Sequence, residues 1–436
     1  MQYYNEEKRE IKVLFYVQYW RKGGIEKLLM YLNNYFNEKH IGYTFCVLTE
    51  DVPDPAQQFS FPKELKIYFR NYTPFNAENM QRLREKIIKI DPDVVVAMSS
   101  TRALYKIPRA LVNLPYPIIL SEHNASSQMV KSFHNSYRFY NSVRLLGDFN
   151  HMIFETFAEN FPRKDTVRVV PNPVPDISKD VQNFTCNQEN KIVHIGRFQL
   201  DQKQQDLLVK SFSHIAKKHS SWNLELYGSD WHGGKNSITE LINQYNLEGR
   251  IKIFDATEKV AEVLSSSKIF AFPSAYEGFG LVAGEALSAG IPVVAFKKCG
   301  GVNEFVKDGY NGVLVDSDTN DSMAFSQALS KLIEDDVERE KIASYSKESV
   351  AKYSIENFAL GWKSIIDEAA EKKGENRLLH LSDIEIDYID LIASGYLFDK
   401  IKKQSKEIKK MKKVVNTMKK FYVYQPARLL YKSLKR

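Results

Sequence analysis

Two carboxylates stand eight positions apart in Ser274-Ala-Tyr-Glu277-Gly-Phe-Gly-Leu281-Val-Ala-Gly-Glu285, with Gly278, Phe279 and Gly280 between them. Upstream, Lys268-Ile-Phe-Ala-Phe-Pro273 reads as a buried strand closed by proline. Downstream, Leu281 to Ala289 is rich in helix formers and is stopped by Gly290 and Pro292. Strand, glycine turn and helix start therefore follow one another. Such a junction aims free backbone N–H groups and the positive end of a helix dipole at one spot, which suits a phosphate. Two carboxylates beside an anion cradle would repel a phosphate alone. They suit a ligand with hydroxylated groups at both ends of a diphosphate, with Glu277 in the turn for one end and Glu285, a helical turn past Leu281, for the other.

Cations of the right kind lie on another strand end. In His194-Ile-Gly196-Arg197-Phe-Gln-Leu-Asp-Gln-Lys203 a buried strand runs into Gly-Arg, with Lys203 six residues later. An Arg fork and a Lys point charge beside a helix start would neutralise a departing diphosphate; taken singly, each reads equally as a solvated surface cation. Gln18-Tyr-Trp-Arg-Lys-Gly23-Gly24-Ile-Glu26 opens a helix after the first strand, and its glycines allow close backbone approach or a plain turn. Ser121-Glu122-His123-Asn124 closes a further strand, where His123 is either an active-site group or a hydrogen-bonded strand-end histidine.

The acidic stretch resembles the Glu-x7-Glu signature of the retaining family-4 (group 1) glycosyltransferases of bacterial surface-polysaccharide type, which have the GT-B fold. The resemblance covers roughly residues 11 to 370, with the stronger motifs in the second half. It implies that Glu277 contacts donor-sugar hydroxyls, that Glu285 holds the nucleotide ribose, and that Arg197 and Lys203 grip the donor pyrophosphate. It also implies that the backbone of Gly278, Phe279, Gly280, Leu281 and Val282 lies along the donor, that Gly24 belongs to the first-loop Gly-Gly, and that the His123 side chain meets a donor-sugar hydroxyl while its carbonyl lies near the reacting carbon. Glu277, His123, Arg197 and Lys203 are thus the expected catalytic residues. Three positions depart from the family pattern: Gln204 replaces the glycine after the lysine, Pro173 replaces the glycine after Pro171-Asn172, and Asp255-Ala256-Thr257 fills a loop bordering the base pocket where a glycine is usual.

A chain of 436 residues with 43% hydrophobic content calls for two globular domains and a remainder. Cys46, Cys186 and Cys299 are far apart, which excludes a disulfide framework and a Cys-based zinc site and fits a reducing cytosol. There is no apolar run of about 18 residues and no apolar core after Met1 of the kind a secretion signal needs. Serine-hydrolase, P-loop and His-Glu-x-x-His motifs are absent. Asp91-Pro92-Asp93 spells a metal-diphosphate pattern but directly precedes a strand that its proline suits. No metal or other cofactor is expected, the nucleotide sugar being a co-substrate.

Strand-like runs alternate with helical patterns: Ile11–Val17, Tyr43–Leu48, Val94–Met98, Ile118–Ser121, His151–Phe154 and Val167–Val170, then Ile192–Ile195, Leu224–Tyr227, Ile251–Phe254, Ile269–Phe272, Val293–Ala295 and Val313–Val315. This α/β pattern predicts two Rossmann-like doubly wound domains facing each other across a cleft, with ligands at strand C-terminal ends. The expected divisions are an acceptor-side domain over 1–175, a nucleotide-sugar-binding domain over 176–355, a helix crossing back over 356–372 and a helical extension over 373–436.

The net charge of +7 belongs to the end of the chain. Residues 401–436 hold 11 Lys and 2 Arg against one Glu, leaving 48 basic and 53 acidic residues elsewhere. Ile401, Ile408, Met411, Val415, Met418 and Tyr422 recur at a/d spacing, but a coiled-coil dimer would face Lys with Lys. A basic amphipathic helix on an anionic membrane fits better, with Phe421-Tyr-Val-Tyr424 as an interfacial anchor. The expected partners are a nucleotide-diphosphate sugar (UDP-sugar before GDP-sugar), a carbohydrate or lipid-linked glycan acceptor and an anionic membrane surface through 401–436, with no nucleic acid. The expected place is cytoplasmic, on the inner face of the cell membrane. The alternative is a non-catalytic GT-B subunit that chaperones an active partner.

Overall fold

Mostly apolar runs of three to seven residues, most of them followed by a helix, pair in parallel. The computed structural model describes residues 10–20, 23–50, 65–69, 77–98, 103–132, 137–177, 188–387, 389–390 and 407. It forms two parallel sheets. The first holds β1 (Ile11–Val17), β2 (Tyr43–Thr49), β3 (Lys66–Phe69), β4 (Val94–Met98), β5 (Ile118–Ser121), β6 (Phe149–Met152) and β7 (Val167–Val169), in the order β3-β2-β1-β4-β5-β6-β7. The second holds β8 (Lys191–Ile195), β9 (Asn223–Tyr227), β10 (Ile251–Phe254), β11 (Ile269–Phe272), β12 (Val293–Phe296) and β13 (Gly312–Val315), in the order β10-β9-β8-β11-β12-β13.

Period-two alternation between two buried faces explains why β1 is apolar from Val13 to Val17. Val13, Phe15 and Val17 enter one core on one face of the sheet, while Leu14 and Tyr16 enter another on the opposite face. The helix Ile355–Ala370 starts after the second sheet, capped by the Ser354 hydroxyl on the Asn357 N–H, and buries Phe358, Trp362 and Ile366 against Val13 and Phe15 of the first. The chain then stays on that domain. Gly374 N–H donates to the Pro115 carbonyl (2.9 Å), the Asn376 side chain donates to the Tyr116 carbonyl (2.8 Å), and Arg109 grips Asp390 through two bonds of 2.5 and 2.9 Å.

Two elements differ from the sequence expectation. β3 was not anticipated, because its four residues carry little periodicity and owe their strand form to pairing with Cys46–Thr49. β6 lies two residues earlier than the apolar run His151–Phe154, since Ile153 and Phe154 are buried by the second domain's core and not by the ladder. The Asp-x-Asp pair serves structure: Asp93 accepts from Lys12 N–H (2.9 Å) and Lys373 (2.8 Å), and Asp91 accepts from the Tyr116 hydroxyl (3.1 Å). No helix among the described residues is long and apolar enough to cross a membrane. The heptad and basic-helix readings of 401–436 lie outside the described residues, Glu407 apart.

Candidate active site

The C-terminal ends of the two sheets oppose each other, and the site is assembled from the loops there. β11 lies between β8 and β12 and delivers the chain through Pro273 into the Glu277 turn. Gly280 takes φ +86°, a left-handed conformation that only glycine adopts cheaply, and so starts the buried helix Leu281–Ser288. Gly290, at φ +76°, ends that helix as the sequence predicts. Gly278 is required for a different reason: a Cβ there would stand 1.8 Å from the carbonyl oxygen of His123. Only a residue without a side chain lets the two domains meet backbone to backbone at this point.

Both acids carry a lysine. Glu277 is nearly buried and takes an ion pair of 2.5 Å from Lys203, whose ammonium also lies 5.7 Å from the centre of the Phe272 ring. Glu285 is more deeply buried and pairs with Lys27, which comes from the helix Gly24–Glu38 of the other domain. Burial alone would lower the Lys27 ammonium pKa, but the Glu285 carboxylate holds it above its ordinary value. Gly24 opens that helix and faces Leu281, where a Cβ would come to 3.3 Å of the leucine side chain. Thus a turn of the first domain already lies on the ribose and phosphate side of the expected donor site.

Arg197 differs from Lys203. It is exposed at the end of β8, and its guanidinium sits 4.9 Å from the centre of the Trp231 ring. The Gly-Arg turn is clamped from below by Gln205, whose side-chain amide donates to the Arg197 carbonyl (2.7 Å) and to His194 Nε2 (3.2 Å). His194 Nδ1 donates to the Ala271 carbonyl (2.9 Å), which fixes Nε2 as the acceptor, and burial pushes the imidazole pKa down to about 4. Neither Gln205 nor Trp231 is legible as a site residue in the sequence, because each acts on a partner that only the fold supplies. Gln204 takes φ +52°, the left-handed form, which explains why a glycine is usual there.

On the opposite wall His123 heads a buried relay. Its Nε2 lies 2.9 Å from Ser121 Oγ, which lies 2.8 Å from His151 Nδ1, and His151 Nε2 lies 2.9 Å from the Val170 carbonyl. A carbonyl only accepts, so His151 donates from Nε2 and receives the Ser121 hydroxyl proton at Nδ1. Ser121 then accepts from His123 Nε2–H. His123 Nδ1 is left as an acceptor facing the Asn172 side-chain amide 3.2 Å away, which must present its nitrogen, the two ends of an amide being interchangeable in position. Burial lowers His123 to about 4 and His151 well below its ordinary value, so both stay neutral. Within the fold both His123 ring nitrogens are engaged, and the carbonyl oxygen stands against Gly278.

Phe279 offers the site its backbone alone, as expected of this stretch. Its ring is buried in a stack with Phe154 (5.4 Å, 6°) and Phe305 (5.0 Å, 26°), so its side chain cements the two domains and only its backbone can line the site. Val282 is partly buried against the second core. The Asp255 loop is tied to Lys235 by an ion pair. The structure thus brings Gly24, His123, Lys203, Glu277, Gly278, Gly280, Leu281 and Glu285 to one seam, with Arg197 on its rim.

Comparison with known proteins agrees with this fold. Residues 177–349 match the family model described as glycosyl transferases group 1. An uncharacterized glycosyltransferase of Haemophilus influenzae is 25% identical over 354 residues, 79% of this chain and 96% of that protein. The Campylobacter jejuni enzyme named GalNAc-α-(1→4)-GalNAc-α-(1→3)-diNAcBac-PP-undecaprenol α-1,4-N-acetyl-D-galactosaminyltransferase is 21% identical over 375 residues, 82% of this chain and 99% of that one. Among solved structures, Anabaena HepE in complex with UDP and glucose superposes with a TM-score of 0.66 at 20% identity, covering 82% of this chain and 99% of HepE.

Proposed function

We propose, on the premise that this chain is a group 1 glycosyltransferase with the GT-B fold, that it transfers a hexose from a nucleotide-diphosphate sugar to a glycan or lipid-linked glycan in cell-surface polysaccharide synthesis, with retention at the anomeric carbon. A UDP-sugar is favoured over a GDP-sugar, since the Anabaena neighbour was crystallised with UDP and glucose. The Campylobacter relative is named for an undecaprenol-linked acceptor, which supports a lipid-linked glycan here.

One observation carries the reading. The Lys203–Glu277 pair and the N-terminus of the helix Leu281–Ser288 lie on one side of a seam, and the His123 carbonyl lies directly across it at Gly278. In the reaction the bond from the anomeric carbon to the donor phosphate oxygen breaks, and its electron pair goes to the diphosphate. Arg197, Lys203 and the amides of Gly280 to Val282 stabilise that growing charge, an effect of preorganised electrostatics for which no metal is required. Glu277 orients the sugar hydroxyls. The His123 carbonyl dipole faces the carbon that turns positive. The acceptor hydroxyl attacks from the face the diphosphate leaves and passes its proton to the departing phosphate oxygen. Glu285 takes the ribose hydroxyls, for which Lys27 must give way.

The basic excess of 401–436 supplies contact with an anionic membrane from the cytoplasmic side. Deleting it should spare turnover on a soluble acceptor and release the protein from anionic vesicles; retained vesicle binding refutes that role. The donor site is tested by calorimetry against UDP, GDP and ADP in EDTA. Micromolar binding of one nucleotide, weakened about tenfold in Glu285→Ala, is expected. Binding of none would favour the non-catalytic chaperone subunit.

A further inference from the structure

A cavity adjoins the seam. It measures about 220 Å³ and is lined from both domains, by Tyr137, Asn141 and Asn160 of the first and Asn303 and Glu304 of the second among others. Its place is fixed by three contacts. Ala125, two residues past His123, faces Gly300, where a Cβ would stand 3.7 Å from it. Gly301 backs onto the Gly278 carbonyl so closely that a Cβ would approach to 2.3 Å. The Thr156 hydroxyl donates across the domains to Glu304 (2.7 Å). The cavity therefore lies one residue layer from the Glu277 turn and the His123 carbonyl.

Its lining selects a chemistry. None of its lining residues is Lys or Arg, so it is not built for phosphate. Its one carboxylate is already hydrogen-bonded to Thr156. What remains is neutral: three side-chain amides, which offer donors and acceptors together, and tyrosine and phenylalanine rings, which offer flat apolar faces. Tyr137 is 43% exposed, and Asn303 Oδ1 has no hydrogen-bond partner among the described residues. Amides beside aromatic rings match the alternating hydroxyl edge and C–H face of a pyranose. Sites at domain junctions that close around such a ligand need both domains in place.

We propose that this pocket holds a neutral saccharide unit of the acceptor, one residue layer from the Glu277 turn and so beyond the unit whose hydroxyl attacks; the proposal rests on the donor-site reading above. The test is saturation-transfer NMR on the full chain loaded with UDP, using the methyl α-glycosides of glucose, galactose, N-acetylglucosamine and N-acetylgalactosamine as probes. At least one should give a signal, and Tyr137→Ala and Asn160→Ala should each weaken its affinity about tenfold while leaving UDP affinity unchanged. Both side chains are exposed, so neither substitution threatens the fold. Silence from all four probes, or a signal that neither substitution moves, overturns the proposal. So does displacement of the glycoside by UDP-glucose but not by UDP, which would assign the pocket to the donor hexose. A wild-type chain that binds none of UDP, GDP and ADP refutes the donor-site reading instead, and the glycoside arm run without nucleotide still decides the pocket.

Discussion

The two walls of the cleft differ in charge. The second domain's wall carries Arg197, Lys203, Glu277 and Glu285, all formally charged. Opposite, the first domain's wall around His123 is polar but neutral: two imidazoles held uncharged by burial, a serine, an asparagine and a line of backbone carbonyls. The difference fits the proposed chemistry. There a departing diphosphate would gain negative charge and be met by fixed cations and helix amides. The anomeric carbon would gain positive charge, and a protonated imidazole beside it would raise the barrier. The buried Arg144–Glu122 pair lies behind that wall, and the exception at the seam itself is Lys27, a cation of the first domain that reaches over to Glu285.

If the charged wall carries most of the rate enhancement, its variants must cost most. Arg197→Ala and Lys203→Met should each lower kcat about 100-fold or more, the scale of one lost transition-state contact. Turnover at the wild-type rate in both would break the division between the walls. Lys203→Met carries a further cost in stability, since it leaves Glu277 nearly buried without its ion pair.

The neutral wall is tested by acid. Burial lowers His123 and His194 from 6.5 to about 4, so between those values the unfolded chain binds protons that the fold refuses. Their contribution is complete above pH 6.5 and is lost as pH falls toward 4, with His151 adding in the same sense. Glu122 opposes this: burial raises it from 4.5 to about 7, so its part is present below 4.5 and lost as pH rises through 7. Three imidazoles against one carboxyl give a net loss on acidification, on the order of a few kcal/mol by pH 4.5. Thermal melts at pH 7 and 4.5 measure it. A melting temperature unchanged or higher at pH 4.5 would show that the histidines are not held neutral.

The exception sharpens the contrast. Glu285→Ala should weaken nucleotide binding about tenfold, the worth of one good hydrogen-bonded contact. Lys27→Met should do the reverse and tighten it a few-fold, because the free site no longer spends Glu285 on an ion pair. Calorimetry with UDP on both variants reads the difference. Weaker binding in Lys27→Met would instead make Lys27 a ligand of the diphosphate.

Legibility in the sequence divides along the same line. The charged wall could be read because its residues lie in two short stretches, 196–203 and 277–285, where spacing carries the geometry. The neutral wall could not. His123 was visible at a strand end, but Asn172 and His151 reach it from 49 and, through Ser121, 30 positions away. Lys27 meets Glu285 across 258 positions, and no local pattern encodes that. The alternation of the strands was read almost completely, because burial on both faces writes apolar runs. β3 was missed because an edge strand of four residues has neither length nor burial to mark it.

Gln204 offers the smallest test. It follows Lys203 directly and is the residue where two short helices change direction, Leu200–Lys203 into Gln205–Ile215. At φ +52° a residue with a Cβ pays roughly 1–2 kcal/mol that glycine does not. Its side-chain oxygen is also buried without a partner among the described residues, a further small cost. Against this, glycine gives the unfolded chain more freedom, worth about 0.5–1 kcal/mol. The strain term wins narrowly, so Gln204→Gly should raise stability by about 0.5–1 kcal/mol. Because glycine keeps the same turn, Lys203 stays on Glu277, and kcat should hold within about twofold. Stability measured by urea titration should rise while turnover stays level. A loss of stability would mean that the Gln204 side chain holds the turn, and a gain accompanied by lost turnover would mean that the strain itself sets Lys203 against the diphosphate.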